Sequence, residues 1–157
     1  MSGVEDITIA RKKLYVGCSL TLAPQIFKDK VEQTKARLKD DWDVLEFLGL
    51  TAGTEVDVYQ VDILENVRNC DAFVAIADEP SFGLGWETRE AVLLRKPTLL
   101  LAHAASKVTR LALGAPHFFP DQHFEFRRYD DMVQEVPMIV NQEFNYVLNP
   151  PENTLAD

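Results

Sequence analysis

The stretch "DAFVAIADEPSFGLGWETREAVLLRKPTLLLAH", Asp71 to His103, decides how this chain folds. It opens with an apolar run, Ala72 to Ala77. Small residues then crowd a turn at Ser81, Gly83 and Gly85, and helical spacing begins around Trp86 and Glu87. A second apolar run, "PTLLLAH", closes the unit. Strand, turn, helix and strand in that order make a parallel crossover, and a strand apolar on both faces belongs in the middle of a parallel sheet. Ligand sites in such sheets lie beyond the carboxyl ends of the strands. The turn from Asp78 to Glu87 is therefore the first place to look for chemistry.

Working outward, the same alternation repeats. "KLYVGC" (Lys13–Cys18) reads as a buried strand. "PQIFKDKVEQTKARLKDD" reads as a helix, with Phe27, Val31, Thr34 and Leu38 at helical spacing and Pro24 near its first turn. "DVLEFLGL" (Asp43–Leu50) is a second strand, and "TAGTEVDVYQVDILENVRNC" holds a loop and then a helix. "HFEFRRY" (His123–Tyr129) is a fifth strand. "DDMVQEVPMIVNQEFNYVL" is a closing helix, kinked or broken at Pro137. These elements predict one α/β domain over residues 1–157. Its expected architecture is a Rossmann-like (flavodoxin-like) parallel sheet of about five strands with helices on both faces. Residues 1–12 and 149–157 are expected to be mobile tails. Three segments fall at carboxyl ends of strands: "GCSLT" after the first, "DEPSFGLGWE" after the third and "HAASKVTR" after the fourth.

Composition narrows the partners. The chain has 157 residues, 46% of them hydrophobic, enough for a real core. Asp and Glu number 25 against 16 Lys and Arg, a net charge of −9. That balance argues against nucleic acid or an anionic membrane as the main partner. A small anion held by local backbone donors stays compatible with it. Cys18 and Cys70 form no CxxC or Cys/His metal pattern, and they read as reduced thiols of a cytoplasmic protein. The start "MSGVEDITIARKK" lacks the apolar core of a signal peptide. His103, His117 and His123 show no metal-ligand spacing, so no metal and no cofactor are expected.

Gly83 and Gly85 make a GxG whose sixth position is Thr88, and it follows the third strand, not the first. As a dinucleotide fingerprint it is weak, and with no GK[ST] there is no P-loop. A turn of positive φ explains the two glycines by themselves. Beside them, however, stand Ser81, an acid and a helix start. Free backbone N–H groups at such a start favour anions, and Glu87 there also gains from the helix dipole.

Taken together, these blocks resemble the nucleoside 2-deoxyribosyltransferase superfamily over most of residues 13 to 115. "KLYVGCSL" is similar to the family's first strand and loop, with its tyrosine at Tyr15. "VDILENVRNCDAFVAIAD" is similar to its aspartate-led helix and following strand. "PSFGLGWETREAVLLRKPTLLL" is similar to its small-residue turn, nucleophilic glutamate, helix and next strand. The resemblance implies cleavage of an N-glycosidic bond through a glycosyl-enzyme. Glu87 would be the nucleophile, Tyr15 would orient it, and Asp62 would contact sugar or base. The transition state is oxocarbenium-like, which calls for a carboxylate held close under C1′.

Ser81 stands where the free-nucleoside transferases carry an aspartate. In this it resembles the 2′-deoxynucleoside 5′-monophosphate N-glycosidases, whose serine and glycine hold the 5′-phosphate. The resemblance adds Cys18, Ser19, Asp78, Gly83 and Gly85 to the substrate pocket. It also implies a homodimer or higher homo-oligomer, with Lys107, Thr109 and Arg110 reaching a phosphate in a neighbouring copy. Thr88 and Arg89 depart from the relatives' apolar residue and glycine after the glutamate. The transferases' C-terminal Asn-x-Met pattern is also missing, which favours a hydrolase. The expected function is hydrolysis of (deoxy)nucleoside 5′-monophosphates. A deoxyribosyltransferase and a catalytically weak nucleotide-sensing module stand as alternatives.

Overall fold

The computed structural model describes residues 10–48 and 52–152. Five parallel strands, β1 (Lys13–Cys18), β2 (Asp43–Leu45), β3 (Ala72–Ile76), β4 (Thr98–His103) and β5 (Phe124–Tyr129), form one sheet in the order β2-β1-β3-β4-β5. This is the doubly wound flavodoxin-like arrangement. Its direction of winding reverses between β1 and β3, and the crevice there is the place for a ligand.

Side-chain alternation sorts the strands onto two layers. Leu14, Val16, Val74, Ile76, Leu99 and Leu101 face one side. There they pack on α1 (Gln25–Leu38) and on α5 (Met132–Glu143), which is followed by the short α6 (Asn145–Leu148). Tyr15, Phe73, Ala75 and Leu100 face the other. That side is covered by α2 (Glu55–Val58, continuing as a π-helix over Tyr59–Val67) and by α3 (Phe82–Leu93). A short α4 (Arg110–Gly114) and a 3₁₀ turn (Ala115–Phe118) follow β4. The expected helix positions Phe27, Val31, Thr34 and Leu38 are all buried in α1, and Pro24 is its N-cap.

Three expectations from sequence are corrected. "DVLEFLGL" is a strand only as far as Leu45; Gly49 to Thr51 lie outside the described residues. Side chains of the π-helix intercept the backbone beyond Leu45. Asn66 Nδ2 donates to the Glu46 carbonyl at 2.8 Å, and the Leu48 N–H donates to Asp62 Oδ1 at 2.9 Å. The closing helix is also not broken at Pro137, because α5 runs through it. A proline leaves the carbonyl four residues back without its usual donor. Here that carbonyl is Val133, and Arg37 Nη1 on α1 donates to it at 2.5 Å. The third correction concerns Gly83 and Gly85. They do not form a positive-φ turn but lie in the first turns of α3; among the described residues the positive-φ glycine is Gly53. Of the expected tails, residues 1–9 and 153–157 lie outside the described residues. No helix among the described residues is long and apolar enough to cross a membrane.

Candidate active site

The site is assembled where β1 and β3 diverge. Tyr15 and Gly17 are odd-numbered positions of β1, so both face α3. Tyr15 is buried, and its hydroxyl donates to Glu87 Oε1 at 3.4 Å. Glu87 Oε2 is buried with no hydrogen-bond partner, one of two such side-chain atoms among the described residues. A carboxylate oxygen left in this state is costly unless it has a task, since burial disfavours its charged form. Burial pushes the Glu87 carboxyl up to about 8; the negative charge of Asp62 adds to the rise and the Tyr15 hydroxyl opposes it.

Gly17 is a site residue that the sequence reading passed over. A Cβ there would collide with Glu87 Oε2 and would lie 2.9 Å from Leu84 Cδ1. The available signal was a glycine inside an otherwise apolar buried strand, which marks close approach of another group.

Asp62 lies in the π-helical part of α2 and is only 8% exposed. One oxygen accepts from the Leu48 N–H, and burial raises its carboxyl above the ordinary aspartate range against that bond. π-Helical geometry is rare and is frequently found at functional sites. Asp62, Glu87 and Gly83 line one cleft of about 430 Å³, walled by Tyr59, Phe82 and Trp86. None of those aromatic residues was singled out from the sequence.

Ser81 is the N-cap of α3, and its Oγ accepts from the Leu84 N–H at 3.2 Å. Open space surrounds the missing side chains behind it. A Cβ on Gly85 meets nothing within 4 Å, and one on Gly83 meets only Ser81 Oγ at 3.9 Å. On the far side of α3, Ser81, Gly85, Arg89, Lys107 and Thr109 line a second cavity of about 220 Å³ with an apolar floor at Leu84, Val92 and Leu100. Thr109 is the N-cap of α4, and Arg110 is its exposed first residue. Arg89 is turned into this cavity and into the groove along α3.

The remaining predicted residues hold the frame. Asp78 accepts from the Tyr129 hydroxyl in a very short hydrogen bond and from the His103 N–H at 3.1 Å, tying the end of β3 to β4 and β5. The buried Ser19 hydroxyl donates to the Pro80 carbonyl at 3.5 Å, across the mouth of the crevice. Cys18 packs in the core layer beneath α1 and α5, and burial pushes its thiol up to about 12. Among the described residues no group of His, Cys, Asp and Glu is arranged to hold a metal ion.

No family model matches the chain, and no curated protein matches it in sequence. Solved structures do. The CMP N-glycosidase BcmB of Clostridium botulinum superposes with a TM-score of 0.61 at 19% identity, over 83% of this chain and 99% of that one. A conserved protein of Enterococcus faecalis V583 gives 0.51 at 16% identity, over 85% and 99%. A 2-deoxyribosyltransferase of Leishmania mexicana gives 0.48 at 23% identity, over 58% and 64%. The first two likenesses establish a shared fold that spans almost the whole of each of those chains.

Proposed function

We propose that this protein is an N-glycosyl hydrolase of nucleoside 5′-monophosphates, with Glu87 as nucleophile. The observation that carries the proposal is the state of Glu87. Its half-buried side chain stands at the sheet's switch point, with one carboxylate oxygen on Tyr15 and the other buried against Gly17 without a partner, and it lines a cleft large enough for a base. The fold shared with an enzyme whose name is CMP N-glycosidase supports the same reading. In the first step Glu87 bonds to C1′ as the C1′–N bond breaks, and both electrons of that bond pass to the base. The departing base takes a proton from solvent; water then attacks C1′, releases Glu87 as a carboxylate and returns one proton to solvent. Tyr15 orients the carboxylate. Asp62, which lines the same cleft, contacts sugar or base in this reading.

Phosphate selectivity is assigned to the α3 N-terminus. Ser81 caps it, the glycines clear space before it, and Arg89, Lys107 and Thr109 lie in the adjoining cavity. Deoxynucleoside 5′-monophosphates should therefore be cleaved faster than the free nucleosides. Ser81→Asp keeps a good N-cap but adds an anion. It should lower kcat/KM for the monophosphate by roughly 10- to 100-fold, the worth of one or two charge-assisted hydrogen bonds. The free nucleoside should change little. Chromatographic assay of released base measures both. A wild-type preference for the unphosphorylated nucleoside, with its sugar passed to an added second base, would establish a transferase instead.

The reading also includes a homodimer, in which Thr109 and Arg110 reach the neighbouring copy's site. Phe82 on α3, Leu111 on α4 and Phe118 in the 3₁₀ turn are each more than three-quarters exposed, apolar surface that a second copy could cover. Light scattering should give twice the chain mass at assay concentration; a fully active monomer would refute the shared site.

A further inference from the structure

The cleft beside Glu87 is walled by aromatic side chains with Val58 and Ile63 between them, and its ionisable residues besides Tyr59 are all acids. Its aromatic faces are Tyr59, Phe82 and Trp86, its carboxylates are Glu55, Asp62 and Glu87, and among the described residues no Lys or Arg lines it. Phe82 and Trp86 lie with centroids 5.8 Å apart at an interplanar angle of 40°, and both are well exposed. Their rings are not consumed by the core. Among the described residues no Lys, Arg or His forms an ion pair with Asp62 or Glu87. Asp62 accepts from a backbone N–H and Glu87 from a tyrosine hydroxyl. Past Gly85 the groove along α3 reaches Arg89, and beyond it the cavity that holds Lys107 and Thr109. Glu79 also lines that cavity, against Arg89 and Lys107, and Glu90 in the groove is paired with Arg68, so cations outnumber free acids at that end while the Glu87 end is wholly acidic; Ser81 and Gly85 border both the groove and the cavity.

A neutral purine or pyrimidine can stack on such walls and donate an exocyclic N–H to a carboxylate, but it brings no charge to offset the acids. Aromatic faces attract cations through their quadrupoles, and a buried carboxylate without a counter-charge gains most from a ligand that brings one.

We propose that the Glu87 cleft selects a cationic nitrogen heterocycle, a pyridinium or an N-alkylated purine, as the base, with the ligand's phosphate toward Arg89 and Lys107. This deepens the hydrolase reading and, in its cleavage step, rests on it. In a cationic N-glycoside the C1′–N bond breaks with both electrons passing to the ring nitrogen, and the heterocycle departs neutral. Glu87 forms the new bond to C1′, water later displaces it, and one proton goes to solvent. The leaving base needs no proton from the protein.

The test uses two probes without a glycosidic bond, 1-methylnicotinamide (a cation) and nicotinamide (its neutral counterpart), titrated calorimetrically into the wild-type protein. The cation should bind roughly tenfold tighter or better, and Trp86→Leu and Asp62→Asn should each bring the two toward parity. Equal binding, tighter binding of nicotinamide, or a cation preference that survives both substitutions would overturn the proposal. Base release from nicotinamide mononucleotide and deoxycytidine monophosphate is followed separately. Cleavage of the neutral nucleotide without any cation preference leaves the hydrolase and removes the cation site. A cation preference with neither nucleotide cleaved does the reverse.

Discussion

Glu87→Gln should release no measurable base from any nucleotide that the wild-type protein cleaves, a loss of at least roughly 10⁴-fold, while the fold stays intact. Removal of a covalent nucleophile removes the pathway and not an increment of binding. The amide is nearly isosteric, so the Tyr15 and Gly17 packing is kept. The same variant should be more stable than wild type, and the sign follows from the shift. Glu87 titrates at about 8 in the fold against an ordinary value of 4.5, so the folded state holds this proton more tightly. Wild-type stability should therefore fall as pH rises from 4.5 to about 8, and the full penalty, on the order of a few kcal/mol, persists above that. Glu87→Gln has no charge to bury. Its melting temperature should match wild type in acid and exceed it by several degrees above pH 8. Activity needs the carboxylate, so wild-type kcat/KM should climb with pH and level off above about 8. Asp62→Asn removes a negative neighbour and should move that limb to lower pH. Tyr15→Phe removes the hydrogen bond that favours the charge and should move it higher. A folded Glu87→Gln protein that still releases base would end the mechanism.

Gly17→Ala should cost roughly 10²-fold in kcat, although the residue carries no functional group. Its Cβ would occupy the place of Glu87 Oε2 and crowd Leu84. The yielding partner is the carboxylate, the free end of a flexible side chain. The nucleophile is thereby displaced by a fraction of an ångström to an ångström, which is enough to lose about two orders of magnitude. Thermal melts should show a smaller penalty, about 1 to 3 kcal/mol, as overpacking usually gives. Gly85→Ala supplies the contrast. Its Cβ meets nothing within 4 Å, and alanine is favoured in a helix by about 0.5 to 1 kcal/mol, so that variant should be at least as stable as wild type. If Gly17→Ala retains full turnover, the close packing of Glu87 on β1 has no part in catalysis.

Much of the fold was legible without coordinates because it is written in local patterns. The apolar runs at Lys13–Cys18, Ala72–Ala77 and Pro97–His103, separated by helical spacing, dictate parallel crossovers, and parallel crossovers place the site at the carboxyl ends of β1 and β3. The pairing of Tyr15 with Glu87 came from the family resemblance alone, because the local pattern does not distinguish Tyr15 from any other aromatic inside a buried strand, and the structure joins the two by a hydrogen bond. The length of β2 was not legible, since it depends on where Asn66 and Asp62 capture the backbone of Glu46 and Leu48. The continuity of α5 was not legible either, since Arg37 on another helix satisfies the carbonyl that Pro137 leaves free. Gly17 gains its meaning only when β1 is turned so that its odd positions face α3, and the aromatic, acidic cleft exists only because a π-helix carries Tyr59 and Asp62 toward Phe82 and Trp86. Periodicity is a property of neighbours along the chain and reports which element forms. Which face meets which group, and which buried charge goes unanswered, is settled by contacts between residues far apart in sequence, and those arise only when the sheet closes its layers.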